Sequence, residues 1–415
     1  MRSEFPKVLH PLLGVPLLEH VLESAAALKA AKVVVVVGFQ REMVQDAFPD
    51  RGITWAVQEE QLGTAHAANC GVQAAGRFVE EQLPEGRSEG GDPDLLILNA
   101  DLPLLSPETL RALVEAHAES RAAVSILTCD LPNPHGYGRI VRDSSGQVRA
   151  IVEESDADEE TLRIREVNVG TYVFQAAAFT EFYGKIGREN AQGELYLTDL
   201  IEQAARAGRT VASVKAQSAE EVAQVNSRSE LAAASRILRE RMLEEYMESG
   251  VSIDDPPTTY IEKGVRIGRD ARVLPFTVIR RGVEIGPGCQ VGPFAHLRPG
   301  TRLADGASIG NFVEVKNSSI GRNSKAHHLS YLGDGEIGES VNIGAGTIFA
   351  NYDGKVKSKT QVKDRAFVGS GTILVAPVRV GEGAVTGAGA VVLKNRNISD
   401  GEIVVGVPAR SIKQE

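Results

Sequence analysis

Cysteine is scarce in this sequence: Cys70, Cys129 and Cys289 are odd in number, far apart, and form no C-x-x-C pair. That excludes a disulfide framework and a cysteine-built zinc site, and it suits a reducing compartment. Positive charge is also short, with 45 Lys and Arg against 55 Asp and Glu for a net charge of −10. Neither nucleic acid nor an anionic membrane is therefore expected as a main partner. Long apolar runs are missing too. The longest aliphatic stretch, Val33 to Val37, is far too short to span a bilayer. Pro11, Gly14, Pro16, Glu19 and His20 interrupt the apolar residues near the start, so no signal peptide is expected. The reading is a soluble cytoplasmic protein.

Glycine is abundant, and 24 of the 42 glycines fall after residue 250. There an aliphatic residue recurs at every sixth position: Ile285, Val291, Leu297, Leu303, Ile309 and Val315. The beat returns at Val362, Val368, Leu374, Val380, Thr386 and Val392. Cys289, Ala295, Thr301, Ala307 and Val313 fill a small slot four places on. A six-residue period marks a parallel β-helix, with three units closing one triangular coil. Gly286, Gly292 and Gly310 are expected at corners that need φ > 0. The coils from Val265 to Val283 read as irregular, with Pro275 and Phe276 at corners.

A length of 415 residues allows two or three domains. Residues 1–226 alternate strand and helix signals, with strands at Lys32 to Val37, Ile53 to Val57 and Asp94 to Asn99. Pro16 can open a helix, and Ser106-Pro107-Glu108 supplies a cap and first turn. Such alternation predicts a mostly parallel, doubly wound α/β sheet, and residues 85–93 (EGRSEGGDP) predict a mobile surface loop. Ser227 to Glu248 has helical spacing without Gly or Pro, so residues 227–250 read as a connecting helix and 251–415 as the coils.

Ligands in such sheets sit at the carboxyl ends of strands, which singles out Asp101 as a carboxylate for Mg²⁺ or as a turn aspartate. Gly63-Thr64 could let backbone N–H groups meet a ligand, or simply make the turn. Lys7 could be a surface lysine, and Gly136 to Ile140 either a pocket wall or a hairpin loop. In the coils, Arg298, Glu314, Lys316, His328 and Tyr331 are polar where a scaffold needs nothing polar. Asn351 to Lys357 breaks the beat, so it should protrude. Basic groups in an acidic protein suit an anionic ligand. Histidine is the side-chain type that takes a proton near neutral pH, although a solvated outer-face histidine is the plainer reading.

Taken in order, PKVLH at Pro6, QEEQLGTAH at Gln58, ADLPL at Ala100, GYGRI at Gly136, IVE at Ile151, VNVG at Val167 and GELYLTD at Gly193 resemble a known family. So do FAHLRPG at Phe294, NFVEVK at Asn311, HLSYLGD at His328, NIGAGT at Asn342 and NYDGKVK at Asn351. The chain resembles the bacterial bifunctional N-acetylglucosamine-1-phosphate uridyltransferase / glucosamine-1-phosphate N-acetyltransferase over nearly its whole length. The resemblance implies a Rossmann-like nucleotidyltransferase domain, a long helix, and a hexapeptide-repeat left-handed parallel β-helix. It implies that Gln58, Gly63 and Thr64 face the uracil of UTP and that Lys7 contacts phosphate. Gly138, Glu153 and Asn168 would hold N-acetylglucosamine-1-phosphate, with Asp101 and Asn226 on Mg²⁺. In the coils, Arg298, Lys316, Tyr331, Asn351 and Lys357 would bind glucosamine-1-phosphate. His328 would deprotonate its amine with support from Glu314. Asn342, Ala345, Tyr352, Ser370 and Ala388 would line the acetyl-CoA and substrate cleft. A homotrimer is implied.

Departures accompany the match. The family's strand and Gly-rich loop, Leu-Ala-Ala-Gly-x-Gly-Thr-Arg, precede the residue matching Met1 and are not in this sequence. The expectation is either a truncated start, the favoured reading, or a copy that has lost nucleotidyl transfer, with neighbouring strands left unpaired and no pyrophosphate release from these residues alone. Ala100 replaces a usual glycine, and the prism is about two coils shorter. An arginine is missing near Gly406 and the tail is short, so weaker acetyl-CoA binding is expected, partly rescued by Arg410. Two alternatives stay open: another sugar-1-phosphate nucleotidyltransferase with a β-helix tail, and a non-catalytic assembly or regulatory subunit.

Overall fold

The structure is a computed structural model that describes residues 1, 3–49, 51–82 and 93–412. The loop expected at 85–93 lies, save for Pro93, outside the described residues. The chain divides into two compact units, Met1–Ala234 and Ser235–Glu415.

The first unit opens with a short hairpin, β1 (Pro11–Leu12) and β2 (Val15–Pro16), followed by α1 (Leu17–Ala26). Then come β3 (Val34–Val37), α2 (Arg41–Asp46), β4 (Thr54–Val57), α3 (Thr64–Gln82), β5 (Asp94–Ile97) and α4 (Pro107–Ser120). The second half holds β6 (Val124–Asp130), β7 (Arg139–Arg142), β8 (Val148–Val152), β9 (Glu166–Gln175), α5 (Ala176–Tyr183), α6 (Asp199–Arg206) and β10 (Val211–Lys215). Helix α4 starts as expected: Ser106 Oγ accepts from the Thr109 N–H at 3.2 Å, and Pro107 takes the first helical place.

The sheet is mixed, not mostly parallel. Strand β10 pairs parallel with β6, but β9 runs antiparallel to β5, β6 and β7. Only the β7–β8 pair is a local hairpin, closed at Gly146 (φ +84), whereas β9 meets β5 and β6 across long stretches of chain. Strands β3 and β4 pair parallel in a separate two-stranded sheet. Strand β3 is half-buried, with only Val37 enclosed, where the sequence suggested a buried strand.

The second unit is the prism. Short strands stack into three sheets of ten, eight and eight, parallel except for a last antiparallel pair at Val404–Val405 with Arg410–Ser411. Ile285, Val291, Leu297, Leu303, Ile309 and Val315 all point inward, none more than 4% exposed. The coils from Val265 to Val283 prove regular, because Ile261, Ile267, Val273 and Ile279 already keep the six-residue beat and Tyr260 pairs with Val278 eighteen places on. Later coils shorten by one residue: Arg302 pairs with Ser319 and Glu314 with Tyr331.

Glycine does two jobs in the coils. Gly292 has φ +100, as expected for a corner. Gly286 and Gly310 have ordinary φ but admit the neighbouring coil, since a Cβ on Gly310 would lie 2.1 Å from His327 O. The protruding loop is present: residues 352–357 are exposed, Ser358 N–H donates to Asn351 O at 2.8 Å, and Tyr352 bridges Lys357.

Candidate active sites

In the first unit the predicted residues gather in three small groups. Lys7 Nζ donates to Asp101 Oδ2 at 2.7 Å and to Asn226 Oδ1 at 2.8 Å. Asp101 Oδ1 is buried and has no hydrogen-bond partner. The segments are tied together by Val225 N–H on Asp101 O at 3.0 Å.

The second group is the turn after β4. Gly63 sits at φ +115, where a Cβ would lie 2.5 Å from Leu195 O, so only glycine fits. Thr64 Oγ1 accepts from Leu197 N–H at 2.9 Å, and Gln58 Nε2 donates to Gly63 O at 3.1 Å.

The third group surrounds Glu153. Thr198 Oγ1 donates to Glu153 Oε1 at 3.1 Å, and Asn168 N–H donates to Gly138 O at 2.9 Å. A Cβ on Gly138 would stand 3.3 Å from Glu153 Oε2. Burial pushes the Glu153 carboxyl above the usual carboxylate range. Asp199 beside it is pushed up to about 6, by burial and then by the charges of Glu202, Glu153 and Asp156.

In the prism the predicted residues flank one corner. His296 pairs with Glu314 and Glu314 with Tyr331, and Lys316 stands opposite Gly333. Gly333 leaves room for a neighbour: a Cβ there would fall 2.5 Å from the Tyr331 hydroxyl and 2.8 Å from Asn351 Nδ2. Asn351 Nδ2 donates to Asp334 Oδ2 at 2.5 Å. The Lys357 ammonium, carried on the loop, holds Lys316 below the usual lysine value. Arg298, Lys316 and Lys357 thus bring cationic groups to one face, an arrangement that favours an anion.

Around the corner stands His328. Gly346 N–H donates to His328 O, Gly371 N–H to Ala345 O, and Gly389 N–H to Ser370 O. His328, Ala345, Ser370 and Ala388 therefore form one column, one coil apart. The residues beside them, Gly346, Gly371 and Gly389, have no side chains, so the column runs along bare backbone. Asn342 lies three residues before Ala345 in the same coil, and Tyr352 is on the loop, 59% exposed.

The expected support of His328 by Glu314 is not what one chain holds. Glu314 Oε1 accepts from Arg298 Nη1 at 2.7 Å. His328 Nδ1 instead lies 3.0 Å from Asn311 Oδ1. With that amide oxygen accepting, Nδ1 carries the proton and Nε2 keeps its lone pair free.

Residues 1–163 match the MobA-like NTP transferase domain family, and residues 282–317 match the bacterial transferase hexapeptide family. A relative from Corynebacterium diphtheriae, called bifunctional protein GlmU, is 40% identical over 98% of this chain and 89% of its own length. Proteins of that name from Pelobacter propionicus and Nocardia farcinica are each 42% identical, covering 98% and 100% of this chain and 92% and 89% of theirs. The chain belongs to the GlmU family. It is a bifunctional transferase with a nucleotidyltransferase part and a left-handed hexapeptide-repeat part.

Several residues of this GlmU-family chain touch the predicted groups without having been singled out, among them Asn311 on His328, Asp334 on Asn351, Thr198 on Glu153, and His66 on Gln58. Asn311 was within reach of the sequence, since it lies one shortened coil of seventeen residues before His328. Asp334 likewise stands seventeen residues before Asn351, and His66 only eight after Gln58, whereas Thr198 and Glu153 lie in segments whose separation follows no period.

Proposed function

We infer that the chain makes UDP-N-acetylglucosamine in two transfers: acetyl from acetyl-CoA to glucosamine-1-phosphate, then uridyl from UTP to N-acetylglucosamine-1-phosphate. Family membership supports both activities, and the His328–Asn311 contact carries the acetyl-transfer reading. Arg298, Lys316 and Lys357 hold the phosphate of the amino sugar, while Tyr331 and Asn351 border its ring. His328 Nε2 takes a proton from the amine as nitrogen bonds to the thioester carbon, the carbon–sulfur bond breaks, and the coenzyme leaves as thiolate. Ala345, Ser370 and Ala388 flank the open column along which acetyl-CoA lies, with Asn342 and Tyr352 at its sides. Glu314 acts through Arg298, holding the guanidinium in place.

In residues 1–226, Gln58, Gly63 and Thr64 face uracil, and Gly138, Glu153 and Asn168 hold the acetylated sugar. Asp101 and Asn226 suit Mg²⁺, because an unpartnered buried carboxylate oxygen and two oxygens already gathered on the Lys7 ammonium form an oxygen-rich cation site. Bound there, the ion would offset charge on the phosphates. Lys7, displaced from the two oxygens, contacts phosphate. The sugar phosphate oxygen attacks the α-phosphorus of UTP, and pyrophosphate leaves in line.

The prism also carries a reason to associate. Phe276, Phe294 and Phe312 stack at 4.8 and 5.0 Å on an exposed edge that Leu329, beside His328, continues. A homotrimer covers that strip. No helix among the described residues is long and apolar enough to cross a membrane, and the reading places the enzyme in the cytoplasm. Purified protein supplied with glucosamine-1-phosphate and acetyl-CoA should release free CoA. No release from either the full chain or the full chain with added Mg²⁺ and UTP would overturn the acetyl-transfer reading.

A further inference from the structure

The protruding loop, residues 352–357, leaves the prism between two lysines on other coils. Tyr331 pairs with Ile348 and Lys316 stands opposite Gly333, so Lys316 lies two coils before the loop. Ile348, Ile373 and Val391 stack in successive coils, which puts Lys394 two coils beyond it. The loop reaches both ways. Its Lys357 comes close enough to Lys316 to hold that ammonium below the usual lysine value. Its Asp353 reaches forward to Lys394, with Oδ2 3.0 Å from Nζ. Asp353 Oδ1 meanwhile accepts from the N–H groups of Lys355 at 3.0 Å and Val356 at 2.9 Å. One carboxylate thus folds the loop and ties it down.

Like charges repel, so before an anion binds, Lys316 pushes Lys357 and its loop outward. Among the described residues, the Asp353–Lys394 contact is the one ion pair that joins residues 352–357 to another coil. We propose that Lys394, acting through Asp353, is a latch that holds Lys357 beside Lys316 before the sugar phosphate arrives. This rests on the reading of Lys316 and Lys357 as phosphate contacts. A cation held in place beforehand need not be ordered by the ligand, so affinity is gained without a new contact. Lys394 is a positioning residue for the acetyl-transfer site.

The test is steady-state acetyl transfer by the full chain at low salt, read as kcat and as KM for glucosamine-1-phosphate. Lys394→Met should raise that KM about threefold, the scale of an exposed ion pair, and leave kcat unchanged. Asp353→Asn keeps Oδ1 for the two N–H groups but removes the charge, so it should raise KM by the same factor. These substitutions change the net charge in opposite directions. Were the pair acting only through its field on an anionic substrate, the first would weaken binding and the second would tighten it. The double variant should be no worse than either single one, and Lys394→Arg should behave as the parent. In about 1 M salt, where the screening length falls to about 3 Å, the parent's advantage should vanish. An unchanged KM in Lys394→Met, or opposite shifts in the two single variants, would overturn the latch. Lys357→Met should raise KM more than either. An unchanged KM there would overturn the phosphate reading itself, which separates the two failures.

Discussion

At the scale of the residue, His328 and Asn311 illustrate how one contact sets a reaction. The asparagine oxygen sets the proton on Nδ1 and leaves the lone pair of Nε2 free, the atom that the proposed acetyl transfer uses as its base. Replacing His328 with alanine should cut the rate of CoA release by about 10²- to 10⁴-fold, the usual contribution of a general base. Asn311→Ala keeps the imidazole but frees its tautomer. Its kcat should fall by about tenfold or more with little change in KM for the sugar phosphate. A selective rise in KM would instead place Asn311 in binding. Asp199 offers a residue-scale test of stability. Its folded pKa of about 6 lies above the ordinary 3.8, so the unfolded chain gives up the proton first. The native form holds the extra proton between those values, and stability falls as pH rises through that window. Asp199→Asn removes the penalty. It should raise the melting temperature at pH 7.5 by an amount worth about 1 kcal/mol after solvent screening, and leave it unchanged near pH 4. Equal shifts at both pH values would count against the electrostatic cause.

At the scale of the element, the prism was the more readable part of the sequence. Its inward residues repeat, and a side chain that recurs every sixth place can serve only a coil. The early coils were misjudged because Leu274 and Pro275 stand at the corner where the next two coils have Gly292 and Gly310, although Ile261, Ile267, Val273 and Ile279 keep the beat. The mixed sheet was hidden for a different reason: strand order depends on which edges meet in space, and β9 collects partners from three separate segments. Site residues followed the same division. Motif positions such as Asp101 and Lys7 do meet, but the contacts that orient them come from segments with no periodic relation. Gly310 ties element to site. A methyl group there would collide with the carbonyl of His327, the residue before His328, and backbone cannot swing aside as a side chain can. Gly310→Ala should cost about 2–3 kcal/mol of prism stability and depress acetyl transfer in the folded fraction. Gly288→Ala is the contrast. Its φ of +65 is unfavourable, but nothing lies within 4 Å, so only the backbone cost of about 1–2 kcal/mol applies, and transfer per folded molecule should hold. Equal loss of transfer in both variants would detach Gly310 from the site.

At the scale of the whole molecule, the two units draw on separate cores. Among the described residues, one apolar cluster runs from Leu243 through the prism to Val404, while three further clusters are built from residues between Leu9 and Val222. Cooperative unfolding follows shared packing, so two cores without a common residue should melt as two transitions. A ligand that binds one native unit stabilises that unit by mass action, by about 2.7 kcal/mol at a hundred times its dissociation constant. In scanning calorimetry, acetyl-CoA should therefore lift one transition and UTP with Mg²⁺ the other, each by roughly 5–11 °C for units of this size at that ligand excess. Association adds a second signature. If copies of the prism cover the Phe276–Phe294–Phe312 edge, the transition that acetyl-CoA lifts should also rise with protein concentration, and Phe294→Ser should abolish that rise while lowering the particle mass measured by sedimentation. A single transition lifted by both ligands would show that the cores unfold together. A prism transition indifferent to concentration would mean that the aromatic edge faces water.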